Sequence, residues 1–228
     1  MPHYINGYQV LVLSNGLLAQ LAPADQVALM RKAELIQLKV GEVLPSEQAS
    51  ASKIYFPLRG SIALYVGRHD HAISDGLAIG LIGAEGAVGL QAALGFGAGR
   101  FQLLVQSPGE AYVVNGADAE RLVQRRSQLL LIFSRYLWSV YENIATLASQ
   151  ANAQDIKARL AYWILLSASR CGADPLVLTH AQIAKMLGVR RASISIAAKE
   201  LKVMRYINYS RGRIEILNDT ALEALVKI

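Results

Sequence analysis

Hydrophobic positions in the first half of the chain come in short runs that glycine and proline interrupt. Runs rich in β-branched and aromatic residues cover residues 53–57, 60–66 and 103–105, and 15 of the 18 glycines lie before residue 117. Short apolar runs between turn residues are typical of β-strands rather than of helices. The pattern therefore predicts a β-rich N-terminal domain of short strands and tight turns.

The region from Ser127 to about Ala151 has a different pattern, because it contains neither glycine nor proline. Its apolar residues recur at alternating steps of three and four, a 3.5-residue period over three heptads. At 1.5 Å per residue, this predicts a connecting helix roughly 37 Å long. The apolar seam consists of Leu130, Phe133, Leu137, Val140, Ile144, Leu147 and Ala151, and a second row of Leu129, Ile132 and Tyr136 lies beside it.

Two apolar faces on one helix need two partners. We expect one face to pack on the β domain and the other to pack on the same helix of a second subunit. The predicted dimer interface is the seam of Leu130, Phe133, Leu137, Val140, Ile144 and Leu147. Three heptads are near the minimum for a coiled coil, so a helix buried within a single chain remains the alternative.

The glycine-poor C-terminal part predicts two helices joined by a short turn. Thr179 and Gln182 have the spacing of a capping box, which marks the start of the first helix. Gly188 ends that helix and supplies the positive φ of a tight turn, and the second helix runs from about Arg190 to Met204. The predicted buried residues are Ile183, Ala184 and Leu187 on the first helix and Ile194, Ala197, Ala198 and Leu201 on the second.

A hairpin is predicted after these helices, because residues 206–209 and 213–217 flank the turn sequence Ser210-Arg211-Gly212. Two helices with a short turn, followed by a hairpin, form a winged helix–turn–helix whose second helix suits insertion into a DNA major groove. A winged module that contacts only protein is the alternative.

The charge distribution supports a polyanionic partner for this module. The formal net charge is +6, and residues 1–149 contribute none of it, with 11 basic and 11 acidic side chains. Residues 185–213 carry eight basic side chains against Glu200 alone. A strongly positive segment on a neutral body favours nucleic acid as a partner, although a solvated basic face is the simpler explanation.

Composition excludes several other classes of protein. The chain has 228 residues, of which 53% are hydrophobic, so it is not intrinsically disordered. Cys171 is the only cysteine, which excludes a disulfide scaffold and a cluster held by four cysteines of one chain. Residues 76–99 are apolar but hold eight glycines, which favours strands and turns over a membrane span. A single cysteine suits a reducing compartment, and residues 1–20 hold no Lys or Arg, so we expect a cytoplasmic protein. No catalytic motif occurs, so we expect a protein that is not an enzyme.

The order of these parts resembles the Crp–Fnr family of bacterial transcription regulators. The resemblance is strongest in Leu178-Thr-His-Ala-Gln-Ile-Ala-Lys-Met-Leu-Gly-Val-Arg-Arg-Ala-Ser-Ile-Ser and in Tyr209-Ser-Arg-Gly-Arg-Ile, and weaker in residues 54–62 and 159–165. It implies an α+β chain in which a jelly-roll-like β-roll of the cyclic-nucleotide-binding type precedes a long dimerisation helix and a winged helix–turn–helix. The expected domains are residues 1–150 and 151–228.

The resemblance also implies roles for individual residues. Arg191 matches a position that reads a base in relatives, and Arg190, Ser193 and Ser195 lie close enough to touch bases or phosphates. Thr179, Lys199, Arg211 and Arg213 are implied phosphate contacts, which set the register of a complex without reading its sequence. Ala192 stands where many relatives have Glu, and Ile196 where some have a second Arg, so the preferred DNA site is expected to differ.

The expected partners are double-stranded DNA and a second copy of the chain, with RNA polymerase and an unidentified small-molecule effector as candidates. Nucleotide-binding rolls of the family use a Gly-Glu pair and a following Arg, whereas here Leu90 follows Gly89 and Arg100 is out of register. Cyclic AMP is therefore disfavoured. No cofactor or metal is predicted. A haem site involving the Met1-Pro2-His3 start, which is similar to that of the carbon-monoxide-sensing branch, or His69 and His71, and a redox role for Cys171, are minor alternatives.

Overall fold

The computed structural model describes residues 4–5, 8–9, 14–45, 52–66, 76–97, 101–153, 155–171 and 175–226. Its N-terminal part contains β1 (Tyr4–Ile5), β2 (Tyr8–Gln9), α1 (Gly16–Ala19), α2 (Pro23–Met30), β3 (Glu34–Leu38), β4 (Val43–Leu44), β5 (Lys53–Val66), β6 (Leu77–Ile82), a 3₁₀ turn (Leu90–Leu94), β7 (Phe101–Asn115) and α3 (Gly116–Gln124). The long helix α4 (Ser127–Ala153) follows. The C-terminal part contains α5 (Ile156–Cys171), β8 (Leu176–Val177), α6 (His180–Leu187), α7 (Arg191–Val203), β9 (Ile207–Ser210), β10 (Arg213–Ile216) and α8 (Asp219–Val226).

The N-terminal part is built on one antiparallel sheet with the strand order β3-β7-β5-β6, and β4 also pairs with β7. The predicted runs at 53–57 and 60–66 form a single strand, because irregular pairing between Pro57 and Ile62 lets β5 bend without ending. Gly60 makes this possible: it has φ +77°, and a Cβ there would lie 2.6 Å from the carbonyl oxygens of Ser107 and Pro108. A long strand bent at a bulge curves the sheet into a roll. The predicted α+β class with an antiparallel N-terminal sheet is confirmed.

Helix α4 packs one apolar face on the roll of its own chain. Leu129 and Phe133 are fully buried in a cluster with residues of α1, β5 and α3. Leu137 contacts this cluster, Val140 packs on the sheet, and Leu147 packs on the C-terminal part.

The seam from Leu130 to Leu147 was predicted to face a second subunit, but part of it is buried within the chain itself. Within the predicted seam, Phe133 is buried inside the chain and Leu130 remains 43% exposed. Another face of α4 is exposed and carries the large side chains of Leu130, Leu131, Trp138 and Tyr141. The 3.5-residue period locates apolar rows on a helix, but it does not say which row the rest of the chain covers.

The roll and the C-terminal part share one hydrophobic core. Ala63, Tyr65, Ala78 and Leu81 of the sheet pack in the same cluster as residues of α5, α6 and α7, including Leu160, Trp163, Met186 and Ile194. Polar contacts fasten the same junction. The amide of Gln106 donates to the hydroxyl of Ser167 over 3.0 Å, and the guanidinium of Arg170 lies 3.2 Å from the carboxylate of Glu85.

Candidate nucleic-acid interface

The two helices of the predicted helix–turn–helix form as their local sequence signals require. Thr179 caps α6: its hydroxyl accepts from the amide of Gln182 at 3.2 Å, and the side chain of Gln182 accepts from the amide of Thr179 at 2.8 Å. The helix ends at Gly188, which has φ +65° and lies against Leu77 of β6. Arg190 is the N-cap of α7. The predicted capping box, turn and buried stripe of α7 are therefore all confirmed.

The predicted hairpin is formed by β9 and β10, with Ser210 paired to Arg213 across a two-residue turn. Arg211 and Gly212 both have positive φ, at 49° and 76°, which gives the backbone twist that a two-residue hairpin needs. Two supporting elements were not predicted from the sequence. Strand β8 pairs with β10 to make a three-stranded sheet, and α8 packs on α5.

These elements bring the basic side chains to one exposed surface. Arg190, Arg191 and Lys199 are exposed at the start and along the open side of α7, and Arg211 and Arg213 are exposed on the hairpin. None of these five cations forms a salt bridge within the part of the chain that the structure describes. A surface that keeps cations free of acidic partners is suited to a polyanion.

Other basic side chains near this surface are held by the protein itself. The ammonium group of Lys202 donates to the carbonyl oxygen of Tyr209 over 3.0 Å, which ties α7 to the hairpin. The ammonium group of Lys185 lies 5.8 Å from the centre of the Tyr65 ring and thus faces the roll. The carboxylate of Glu200 is 3.2 Å from the ammonium group of Lys157. Lys185 is therefore turned towards the roll, whereas Lys202 and Arg205 remain exposed.

Ser195 and Ser193 are half-buried rather than exposed. The hydroxyl of Ser195 donates to the carbonyl oxygen of Arg191 over 3.1 Å and lies 3.0 Å from Nδ1 of His180. Ser195 is thus bonded inside the protein, while the hydroxyl of Thr179 serves the helix cap and remains exposed.

His180 is a residue of this surface that the sequence analysis missed. Its ring stacks on Tyr209 of β9 with centroids 4.0 Å apart, and its Nδ1 contacts Ser195 of α7. One imidazole therefore joins the first helix, the second helix and the hairpin. Burial, with a smaller contribution from the charge of Arg191, lowers the pKa of His180 below its ordinary value. The neutral ring is favoured in the folded protein. A histidine directly after a capping threonine was the available signal, and it is too general to identify this role.

The roll holds a small cavity between the sheet and α4. It measures about 80 Å³, and its lining is largely apolar: Leu64, Ile82, Val88, Leu90, Phe101, Leu103, Leu137, Val140 and Ile144 are among the residues that form it. Leu90, which follows Gly89 where the resemblance implies a glutamate, is 1% exposed. The lining contains no acidic residue among the described residues, and Lys53 is its one cation. Arg100, His3, His69 and His71 lie outside the described residues.

The remaining candidate chemistry is limited. Across the residues described above, no group of three or more His, Cys, Asp or Glu side chains is arranged to hold a metal ion. The half-buried thiol of Cys171 lies at the junction with the roll, 3.1 Å from the hydroxyl of Ser107 and 3.4 Å from that of Ser61. Within the same described ranges, no helix has the length and apolar character needed to cross a membrane.

Comparison with known proteins identifies the C-terminal module. Residues 158–225 match the family model of the Crp-like helix–turn–helix domain. No curated protein sequence matches the chain.

Solved structures show the same fold over most of the chain. FixK2 from Bradyrhizobium japonicum is 14% identical, with a TM-score of 0.72 over 86% of this chain and 98% of its own. The c-di-GMP-responsive global regulator CLP from Xanthomonas campestris is 13% identical, with a TM-score of 0.68 over 86% and 99%. TTHA1359, a transcriptional regulator of the CRP/FNR family from Thermus thermophilus, is 22% identical, with a TM-score of 0.61 over 85% and 98%.

Proposed function

We propose that this chain, which has the fold of the Crp/Fnr transcription regulators and a Crp-like helix–turn–helix domain in residues 158–225, is a sequence-specific DNA-binding regulator that acts as a homodimer on a pseudo-palindromic site. In this proposal α7 enters the major groove and the β9–β10 hairpin contacts the backbone beside it. The observation that carries the proposal is the set of unpaired cations gathered on these two elements.

The cations divide by position into two roles. Arg191 stands in the first turn of α7, where a recognition helix contacts base edges, and its guanidinium matches the two acceptors of a guanine. Arg211 and Arg213 lie at the hairpin turn, where they meet phosphates and supply affinity without reading sequence. Arg190 and Lys199 flank the groove-facing side of α7, and Thr179 presents the N-terminus of α6 to the backbone.

The proposed dimer uses the exposed face of α4. This face carries a row of large apolar side chains that the chain's own described residues leave exposed: Leu130, Leu131, Trp138 and Tyr141. Phe133, in contrast, is buried within the protomer. An apolar row of this kind on a long helix is suited to pairing with the same row of a second copy. Two-fold symmetry would then place the two α7 helices on half-sites about 34 Å apart, one turn of DNA.

The roll is the proposed site of effector control. Its cavity is small and largely apolar, and none of the described residues that line it carries a carboxylate to hold a ribose. These features favour a small, mostly apolar effector over a cyclic nucleotide, and they are equally compatible with a protein that binds DNA without an effector. RNA polymerase is a further candidate partner once DNA is bound, and the site of action is the cytoplasm.

A selection from a random duplex pool, with the protein as purified and no effector added, tests the proposal. We expect a two-fold symmetric site to be enriched, and its binding to weaken steeply as salt rises because several phosphates are contacted. Non-specific binding at low salt without enrichment would indicate that an effector is missing. An absence of binding at every salt concentration would refute the proposal and favour a winged module that docks a protein.

A further inference from the structure

The outermost face of α7 is partly apolar. The buried stripe of the helix, formed by Ile194, Ala197, Ala198 and Leu201, faces the core. At 100° per residue, the opposite direction is occupied by Ala192, Ile196, Lys199 and Val203. Ile196 is 62% exposed and Val203 is 75% exposed.

The position of Ile196 distinguishes it from an ordinary exposed hydrophobic residue. It lies in the second turn of α7, one turn after Ala192 and between the cations Arg191 and Lys199. Around the helix axis both cations lie on the same side of Ile196, with Lys199 about 60° away from it. If these cations meet phosphates, Ile196 lies beside them and would be buried in the complex against the bases of the groove. Isoleucine neither donates nor accepts a hydrogen bond, so it cannot satisfy the polar edge of a base.

The floor of the major groove offers one prominent apolar group, the 5-methyl of thymine. Cytosine presents an amino group at the neighbouring position, and burying that donor against isoleucine would leave it without a partner. An apolar side chain directed at the groove floor therefore selects thymine by attraction and disfavours polar edges.

We propose that Ile196, supported by Ala192, is a specificity-determining residue that packs on the 5-methyl group of a thymine in each half-site. The inference rests on the proposed DNA-binding function. Ile196 is five positions after Arg191, or about 7.5 Å further along the helix. The thymine is therefore expected about two base-pair steps from the guanine that Arg191 reads.

The test uses the duplex enriched from the random pool, resynthesised with deoxyuridine in place of each thymidine in turn. This change deletes one methyl group and keeps the base pair. At one position per half-site we expect deoxyuridine to lower the affinity of the wild-type protein about fourfold, as expected for one buried methyl group. Ile196→Ala should bind the thymidine and deoxyuridine duplexes equally, and Ile196→Val should retain most of the preference.

Val203→Ala is the matched control, because Val203 is exposed on the same face but is the last residue of α7. We expect this variant to keep the wild-type response to deoxyuridine, since the N-terminal part of a recognition helix contacts the bases. Because Ile196 and Val203 are both exposed, we expect all variants to be folded, and circular dichroism melting verifies this.

The outcomes separate this inference from the proposed function. A selected half-site without thymine, a wild-type protein indifferent to deoxyuridine, or an equal penalty in Ile196→Ala would overturn the thymine contact while leaving DNA binding intact. Failure to bind any duplex would overturn the proposed function, and the inference with it.

Discussion

Replacement of Trp138 by alanine tests which face of α4 pairs with a second subunit. Trp138 is 61% exposed in the protomer, and its ring lies 5.3 Å from that of Tyr141. Phe133, a neighbour of the same helix, is fully buried in its own chain. Trp138→Ala should therefore weaken the dimer and leave the protomer folded, whereas Phe133→Ala should destabilise the protomer itself.

The expected sizes of the two effects follow from the exposed and buried areas. A tryptophan side chain covers up to about 250 Å², so roughly 150 Å² of Trp138 is available to a partner. If half of that area is buried in the dimer at ~25 cal/mol per Å², loss of both copies costs about 4 kcal/mol, or roughly 500-fold in Kd. Phe133→Ala removes a fully buried ring and should lower the free energy of unfolding by about 3–5 kcal/mol.

Sedimentation velocity over a concentration series measures Kd, and urea unfolding measures protomer stability. Phe96→Ala is the control, since Phe96 is a 66% exposed aromatic residue of the roll that does not belong to α4. An equal dimer Kd for Trp138→Ala and the Phe96→Ala control would refute this assignment of the dimer face. A wild-type protein that is monomeric at all concentrations tested would refute it as well.

Three further predictions concern the DNA surface and the core. Arg191→Ala should lose about 1–3 kcal/mol of discrimination at one base pair per half-site, as measured by fluorescence anisotropy. In the same assay Arg211→Ala should weaken binding to all DNA sequences alike and reduce the slope of log affinity against log salt by about 1.8 per dimer. The pKa of His180 is lowered in the folded protein, so the unfolded chain binds the proton more readily, and the contribution of His180 to stability is present above pH 6.5 and is lost as the pH falls below that value. Between pH 7.5 and 5.5, urea unfolding should show that His180→Asn loses less free energy of unfolding than the wild-type protein. An equal loss in both proteins would count against the prediction. Asn15 is fully buried and makes four hydrogen bonds, with two amides of α1 and with the carbonyl oxygens of Pro57 and Gly86. Asn15→Ala should therefore lower the free energy of unfolding by about 3 kcal/mol or more in the same assay, and a loss below about 1 kcal/mol would contradict this account.

The helix–turn–helix was the part of the fold most accessible from sequence. Its signals are local: a capping threonine three residues before a glutamine, a glycine at the turn, and an apolar stripe at helical spacing. The capping box and the glycine act through backbone bonds and backbone angles within a few residues, so neighbouring elements do not change their meaning. The stripe then marks the side of each short helix that packs on the other. The same holds for the turn at Arg211 and Gly212.

Features set by distant contacts were less accessible. Which face of α4 lies on the roll depends on the curvature of the sheet, and that curvature depends on a bulge around Gly60 that the pattern of residues 53–66 does not reveal. Strand β8 has two residues, too few to show any alternation. His180 acquires its role because the hairpin returns to stack Tyr209 on its ring, a contact between residues 29 positions apart in the chain.

The continuous core between sheet and winged module has a consequence for chimeric regulators. Tyr65 and Ala78 belong to the same apolar cluster as Trp163 and Met186, so neither half presents a finished surface where the other is removed. A graft of residues 151–228 onto a foreign sensor would leave this cluster half empty and would aggregate or lose its orientation. To change the DNA specificity, one should therefore replace side chains on α7 and leave the shared core between the roll and the C-terminal part unchanged.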